Sequence, residues 1–228
     1  MNAKFLVVVA AAAALAGCAT AAPTVDTSAE AETTFDGLYP VKNSRADQAW
    51  ARSDVDLTQY SKIMLQGVGV EYRPGGESGK TFRSRTTVSH YEVTPAQKER
   101  FASIMREVFM EELAKSERFT IVSEPGPDVL LVRGALLDVI SYVPPDPVSG
   151  RSEVFLSRVG EATLVLELRD SITDAILARA VDRRAAEKAG SHLERSTRAT
   201  NTSDIRRMAR TWARLLTQRL DEYGAATE

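Results

Sequence analysis

One cysteine, Cys18, stands in a chain of 228 residues, and it limits what the rest can fold into. Without a second cysteine no disulfide can staple the domain, no Cys-based metal cluster can nucleate it, and the chain beyond position 18 offers no thiolate nucleophile. Such a chain must stand on a hydrophobic core of its own. About 210 residues follow Cys18, enough for one substantial domain or two small ones.

The residues before Cys18 point to a compartment. Lys4 supplies a short positive start, and residues 5–15 form an unbroken run of Phe, Leu, Val and Ala. A membrane-spanning helix needs roughly 20 apolar residues, so this shorter run reads as the apolar region of an export signal. Leu15-Ala16-Gly17-Cys18 resembles the bacterial lipobox. The resemblance implies cleavage before Cys18, acylation of its sulfur and fatty acylation of the new N-terminus. Two or three acyl chains anchor stably where one binds reversibly. Ala19 and Thr20 follow, with no Asp at the second position. By resemblance to the sorting rule of enteric bacteria, that implies the outer membrane, facing the periplasm. The expected organisation is a signal peptide over 1–17, the lipidated cysteine and a flexible tether over 18–34, and a folded domain over 35–228. Residues 19–34 are rich in Ala, Thr, Ser, Glu and Pro without apolar period, as a tether would be.

Residues 35–60 scatter aromatics among polar residues and read as a folded extension. Residues 62–72 form a buried strand by their aliphatic run. Thr94-Pro95-Ala96-Gln97 supplies an N-cap, a proline at the first helical position and a capping-box glutamine. Phe101, Ile104, Met105, Val108, Phe109 and Leu113 follow at spacings of three and four, one stripe of an amphipathic helix. Strands are expected over 119–122 and 129–143. Residues 153–169 and 175–186 read as a hairpin around Asp170-Ser171-Ile172-Thr173-Asp174. A second helix is expected over 203–223, with Ile205, Met208, Trp212, Leu215, Leu216 and Leu220 on one face. The fold class is therefore α+β: two helices packed on a largely antiparallel sheet of about five strands.

The formal net charge of −2 argues against a nucleic-acid binder. The distribution is uneven, with eleven Lys or Arg against four Asp or Glu between positions 178 and 219. Arg207, Arg210 and Arg214 fall on the helix face opposite Trp212, as a solvent-facing basic ridge that could meet a partner.

No catalytic constellation emerges. Pro74-Gly75-Gly76-Glu77-Ser78-Gly79-Lys80-Thr81 ends like a phosphate loop. However, Pro74 replaces the first glycine and has no N–H, and residues 81–88 lack helical periodicity. His90 and His192 are the only histidines and lie far apart, so no metal set is expected. Asp128, Asp138, Asp170 and Asp174 could offer a carboxylate pair for glycoside hydrolysis, but Asp170 and Asp174 flank a turn, where aspartate is preferred structurally. No cofactor is expected.

Phe35-Asp36-Gly37-Leu38-Tyr39-Pro40, Ser44-Arg45-Ala46-Asp47-Gln48-Ala49-Trp50, Tyr60-Ser61-Lys62-Ile63-Met64-Leu65 and Leu168-Arg169-Asp170-Ser171-Ile172-Thr173-Asp174 together resemble the bacterial lipoprotein family known as domain of unknown function 3313. The resemblance implies a class and no mechanism. Tyr39, Trp50 and residues 44–47 are a candidate binding edge, although a large aromatic such as Trp50 more often packs inward. The expectation is a non-enzymatic, membrane-anchored binding or accessory module of the cell envelope. Its leading partner is an envelope protein, with anionic glycan or lipid head groups second. The alternatives are an envelope hydrolase with unpaired carboxylates and a lipid or glycan carrier, the last suggested by any closed apolar cavity.

Overall fold

The computed structural model describes residues 21–74, 90–144 and 153–225. Cys18 and residues 75–81 of the phosphate-loop-like stretch lie outside them. The order of elements is β1 (Thr24–Val25), β2 (Tyr39–Lys42), β3 (Gln48–Ala51), β4 (Lys62–Tyr72), α1 (Pro95–Leu113), β5 (Thr120–Ile121), β6 (Val129–Ser141), β7 (Phe155–Leu156), β8 (Arg158–Asp170), β9 (Ile176–Glu187), β10 (Glu194–Arg195) and α2 (Arg198–Ala225).

The class is α+β, but the sheet is larger than expected and mixed. Eight strands run in the order β1-β2-β3-β9-β8-β6-β4-β5, and β7 and β10 pair separately. β4 lies parallel to both β5 and β6, while the other pairs in the sheet are antiparallel. The parallel pairs follow from α1, which carries the chain back along the sheet so that the next strands repeat the direction of β4. The three additional strands, β1, β2 and β3, are two to four residues long. That is too short for alternation to register.

The first helix starts as its sequence dictates. Thr94 caps it, Gln97 returns the capping-box bond and Pro95 occupies the first turn. The stripe buries Ile104, Met105, Val108, Phe109 and Leu113, and also Glu112. The second helix begins earlier than apolar spacing shows. Thr197 and Thr200 exchange N–H to hydroxyl bonds of 3.0 and 3.1 Å around its first turn, so capping rather than a core-facing stripe sets its start. Both helices lie on one face. Met208, Ala209, Trp212 and Ala213 of α2 join the α1 stripe over Leu136, Val139, Val159 and Leu164 of β6 and β8. A second cluster under the helix ends gathers Leu57, Tyr60, Ile63, Leu113, Leu130, Val132 and Leu220.

Register breaks where β6 meets β8, between Leu137 and Ile140. Asp138 sits there at φ +52°. Gly160 is required opposite, since a Cβ on it would lie 2.3 Å from the Ile140 carbonyl oxygen. The stretch expected to be a tether is structured from Pro23 onward. Thr24 and Val25 pair with Lys42 and Val41, and Lys42 Nζ stands 2.8 Å from the Asp26 carboxylate. The extension over 35–60 supplies β2 and β3 and widens the sheet beyond β9.

Candidate functional site

The two faces of the sheet carry opposite chemistry. On the face away from the helices, β8 presents Glu161, Thr163 and Glu167, and β9 places Arg183 opposite Thr163 and Arg179 opposite Glu167. Arg183 reaches Glu161 at 2.9 Å and Asp138 at 2.8 Å, and Arg73 grips the same Asp138 at 2.5 and 2.6 Å. Arg179 bonds Glu167 at 2.9 Å and closes on Asp36. Arg133 and Arg169 meet Asp174 at 2.9 and 3.3 Å. Burial works against ionisation of Glu161 and Glu167. Tyr142 and Arg183 on the first, and Arg169 and Arg179 on the second, outweigh it and hold both carboxyls below their usual range.

The helix-bearing face is only partly covered. Across it, cross-strand rows step down in size from Leu166 on β8 to Ala180 on β9 and Ala49 on β3, and from Leu168 to Ala178 to Ala51. Leu164, Leu166 and Leu168 line the space under α2 together with these alanines. The missing side-chain volume leaves a groove of about 350 Å³ between α2 and the β9–β3 floor. Trp212, Leu215, Leu216 and Tyr223 form one wall, and the turn at Val55 and Leu57 closes an end. Arg118 fastens that turn by donating to the carbonyls of Leu57 and Tyr60. Trp212 Nε1 donates to Asp182 Oδ2 at 2.8 Å, joining α2 to β9 beneath the groove. The other Asp182 oxygen accepts from the Asp47 N–H at 3.1 Å, and Asp47 in turn accepts from the Arg183 N–H at 2.8 Å. This reciprocal latch fixes residues 44–47 beside the groove. Pro23 and Arg45 both border it. Arg45 is exposed and has no ion-pair or hydrogen-bond partner among the described residues.

The candidate residues from sequence are dispersed. Trp50 is half-buried in β3 opposite Arg179 and, with its neighbours Ala49 and Ala51, borders the groove. Tyr39 is half-buried in β2 opposite Ala51. Arg207, Arg210 and Arg214 line one side of α2, but each is engaged. Arg207 meets Asp204 at 2.5 Å and the Glu187 carbonyl. Arg210 and Arg214 converge on Glu112 at 3.3 and 4.0 Å, and Lys115 joins them at 2.6 Å. Burial of Glu112 favours its neutral form, but the Lys115 hydrogen bond and these three cations hold it ionised, below its ordinary value. Ten of the eleven cations between 178 and 219 stand within 4.0 Å of a carboxylate, Arg198 being the exception among the described residues. The local excess is neutralised by acids brought from elsewhere in the chain.

Asp170 accepts from the Thr173 N–H at 2.8 Å, the Ile172 N–H at 3.1 Å and the Tyr60 hydroxyl at 3.0 Å, which makes it the organiser of its own turn. Every displaced carboxyl pKa among the described residues moves down. A glycosidase general acid requires the reverse. Among the described residues, no three His, Cys, Asp or Glu side chains come together as a metal set. No described helix is long and apolar enough to cross a membrane.

The groove was not named from sequence. Its signal was present in Ala178 and Ala180 alternating with Arg179 and Val181, two successive alanines on the face that β9 shares with Leu166 and Leu168.

Residues 26–216 match the family described as a protein of unknown function, DUF3313, and the chain belongs to it. No curated protein matches. Among solved structures, a PelC variant dodecamer from Paraburkholderia phytofirmans is similar at 12% identity over 74% of this chain and 95% of its own, with a TM-score of 0.34. Protein XCC0632 from Xanthomonas campestris, of family DUF330, is similar at 9% identity over 73% and 87%, with a TM-score of 0.43. A homologue of neuraminyllactose-binding hemagglutinin from Helicobacter pylori is similar at 11% identity over 76% and 97%, with a TM-score of 0.37.

Proposed function

We propose that this member of the DUF3313 family is a non-enzymatic accessory protein of the cell envelope. It is held by lipid at Cys18 on the outer membrane, facing the periplasm, and binds an envelope component in the groove between α2 and the β9–β3 floor. The observation that carries the reading is the contrast between that apolar groove and the charged surfaces elsewhere. Arg207, Arg210 and Arg214 are spent on Glu112, Asp204 and a main-chain carbonyl, whereas the groove joins an apolar lining to Arg45 at its edge. Tethering concentrates the domain near its target, so a modest interface suffices. The downward shifts of the carboxyls support a binding role over hydrolysis.

The test is capture from cross-linked membranes using the wild type, the groove-filling Ala178→Leu chain and the Arg210→Glu/Arg214→Glu chain. Recovery of one envelope component that Ala178→Leu abolishes supports the reading. Recovery lost only in the charge-reversed, still folded chain would move the interface to the ridge.

A further inference from the structure

The geometry points to the occupant of the groove: we propose that it takes one acyl chain of an anionic phospholipid from the membrane that carries Cys18. This rests on the anchoring proposed above. Pro23 borders the groove and is held there by β1, whose residues pair with β2. Pro23 lies five positions after Cys18, and at about 3.3–3.6 Å per step the two are no more than about 18 Å apart. A lipidated Cys18 therefore keeps the groove within that distance of the bilayer surface.

The lining selects a chain without polar atoms. A bound peptide would bring an N–H and a C=O at every residue, each requiring a partner. β3 and β9 are already paired on both edges, by β2 and β9 and by β3 and β8, and offer no free ladder. Asp182 is occupied by Trp212, Asp47 and Arg184, and Asp56 by Thr58. An acyl chain requires none of these groups.

Arg45 selects the head group. Its guanidinium stands at the edge without a carboxylate partner among the described residues, and the planar donor fork suits a phosphate. A methylene is equally sheltered in bilayer and groove, and every phospholipid offers a phosphate; a zwitterionic head adds an ammonium that the Arg45 cation repels, so net charge decides which lipid is retained.

Cells expressing the full chain are grown with a photoactivatable fatty acid that enters their phospholipids. Their membranes are irradiated, and the purified protein is digested for mass spectrometry. Anionic phospholipid adducts are expected on the peptides holding Ala49–Ala51 and Ala178–Ala180. Ala178→Leu should lower them at least about tenfold by steric exclusion. Arg45→Glu should lower anionic adducts severalfold, and Arg45→Lys should retain most of them; because Arg45 is exposed, this arm stands even if a groove-filled chain folds poorly. Adducts absent from the groove, indifferent to both substitutions, carrying only zwitterionic lipid, joining the groove to Cys18's own acyl group, or replaced by a cross-linked protein would each overturn the inference. The same digest reports the mass of the Cys18 peptide. An unacylated Cys18 defeats the anchoring, whereas an acylated Cys18 beside an empty groove defeats only the lipid assignment.

Discussion

The helix-bearing face of the sheet has two halves built on one plan and finished differently. Over β4, β6 and β8, positions facing the helices are Ile63, Leu130, Val132 and Leu164, all closely covered. Over β9 and β3 the equivalent positions are Ala178, Ala180, Ala49 and Ala51, and the space above the floor is open. Both halves are carried on hydrogen-bonded strands that include register shifts, so a missing strand does not make the difference. Side-chain volume does, because a close-packed interior has no other way to create a void.

That contrast breaks first at the charged link holding α2 in place. Lys188, with 0% of its side chain exposed, meets Asp204, with 4% exposed, at 2.7 Å and reaches Asn201 at 3.2 Å. Lys188→Ala leaves a buried carboxylate with only Arg207 and should cost about 3–5 kcal/mol in chemical denaturation. Arg45→Ala, at the groove edge, should change stability by no more than about 0.5 kcal/mol. Similar losses for the two would mean that Arg45 is part of the framework and unavailable to a ligand.

The packed and open halves can then be compared directly. Leu130→Ala removes a fully buried side chain and should cost about 2–5 kcal/mol. Ala178→Leu should stay within about 0.5 kcal/mol of the wild type, since its side chain enters open space. Overpacking of a closed core would instead cost about 1–3 kcal/mol. An Ala178→Leu penalty in that range would show that the groove is filled in solution by the protein itself.

The two halves also differed in how far sequence revealed them. The packed half was legible: β4 matches its expected limits, and the α1 cap and stripe are where Thr94, Gln97 and the apolar spacing place them. Large aliphatic residues advertise burial. The groove half depends on alanines, which suit helix, strand and loop alike, and on β1, β2 and β3, whose two to four residues show no period. Arg207, Arg210 and Arg214 do share one side of α2 as spacing requires. Their partners, Glu112, Asp204 and the Glu187 carbonyl, lie one helix, one turn and one strand away, and charge counting along a chain cannot see pairing across space. Tyr39, Trp50 and residues 44–47 were marked as a binding edge, and of these Ser44, Arg45, Ala46 and Trp50 border the groove.

The smallest expected effect concerns where the chain enters the groove half. Asp26, held by the Lys42 hydrogen bond and then by Ser28, has its carboxyl pKa lowered from 3.8 to about 2. Once β1 detaches, that carboxyl returns toward 3.8 and binds a proton more readily than in the folded state. The contribution is therefore fully present above about pH 3.8, fades as pH falls, and is gone below about 2. Hydrogen exchange corrected for its intrinsic pH dependence should show the amides of residues 24–26 losing protection between these limits. The Asp26 N–H, which donates to the Pro40 carbonyl at 2.8 Å, is the most direct reporter. Amides of β6 and β8 should hold their protection over the upper part of the window, where the edge already loosens. In Lys42→Met the edge should begin to open nearer pH 3.8, because the group that depresses the pKa has been removed. If residues 24–26 and the packed strands lose protection together, acid unfolds the domain as one unit, and the entry strand is no looser than the core it borders.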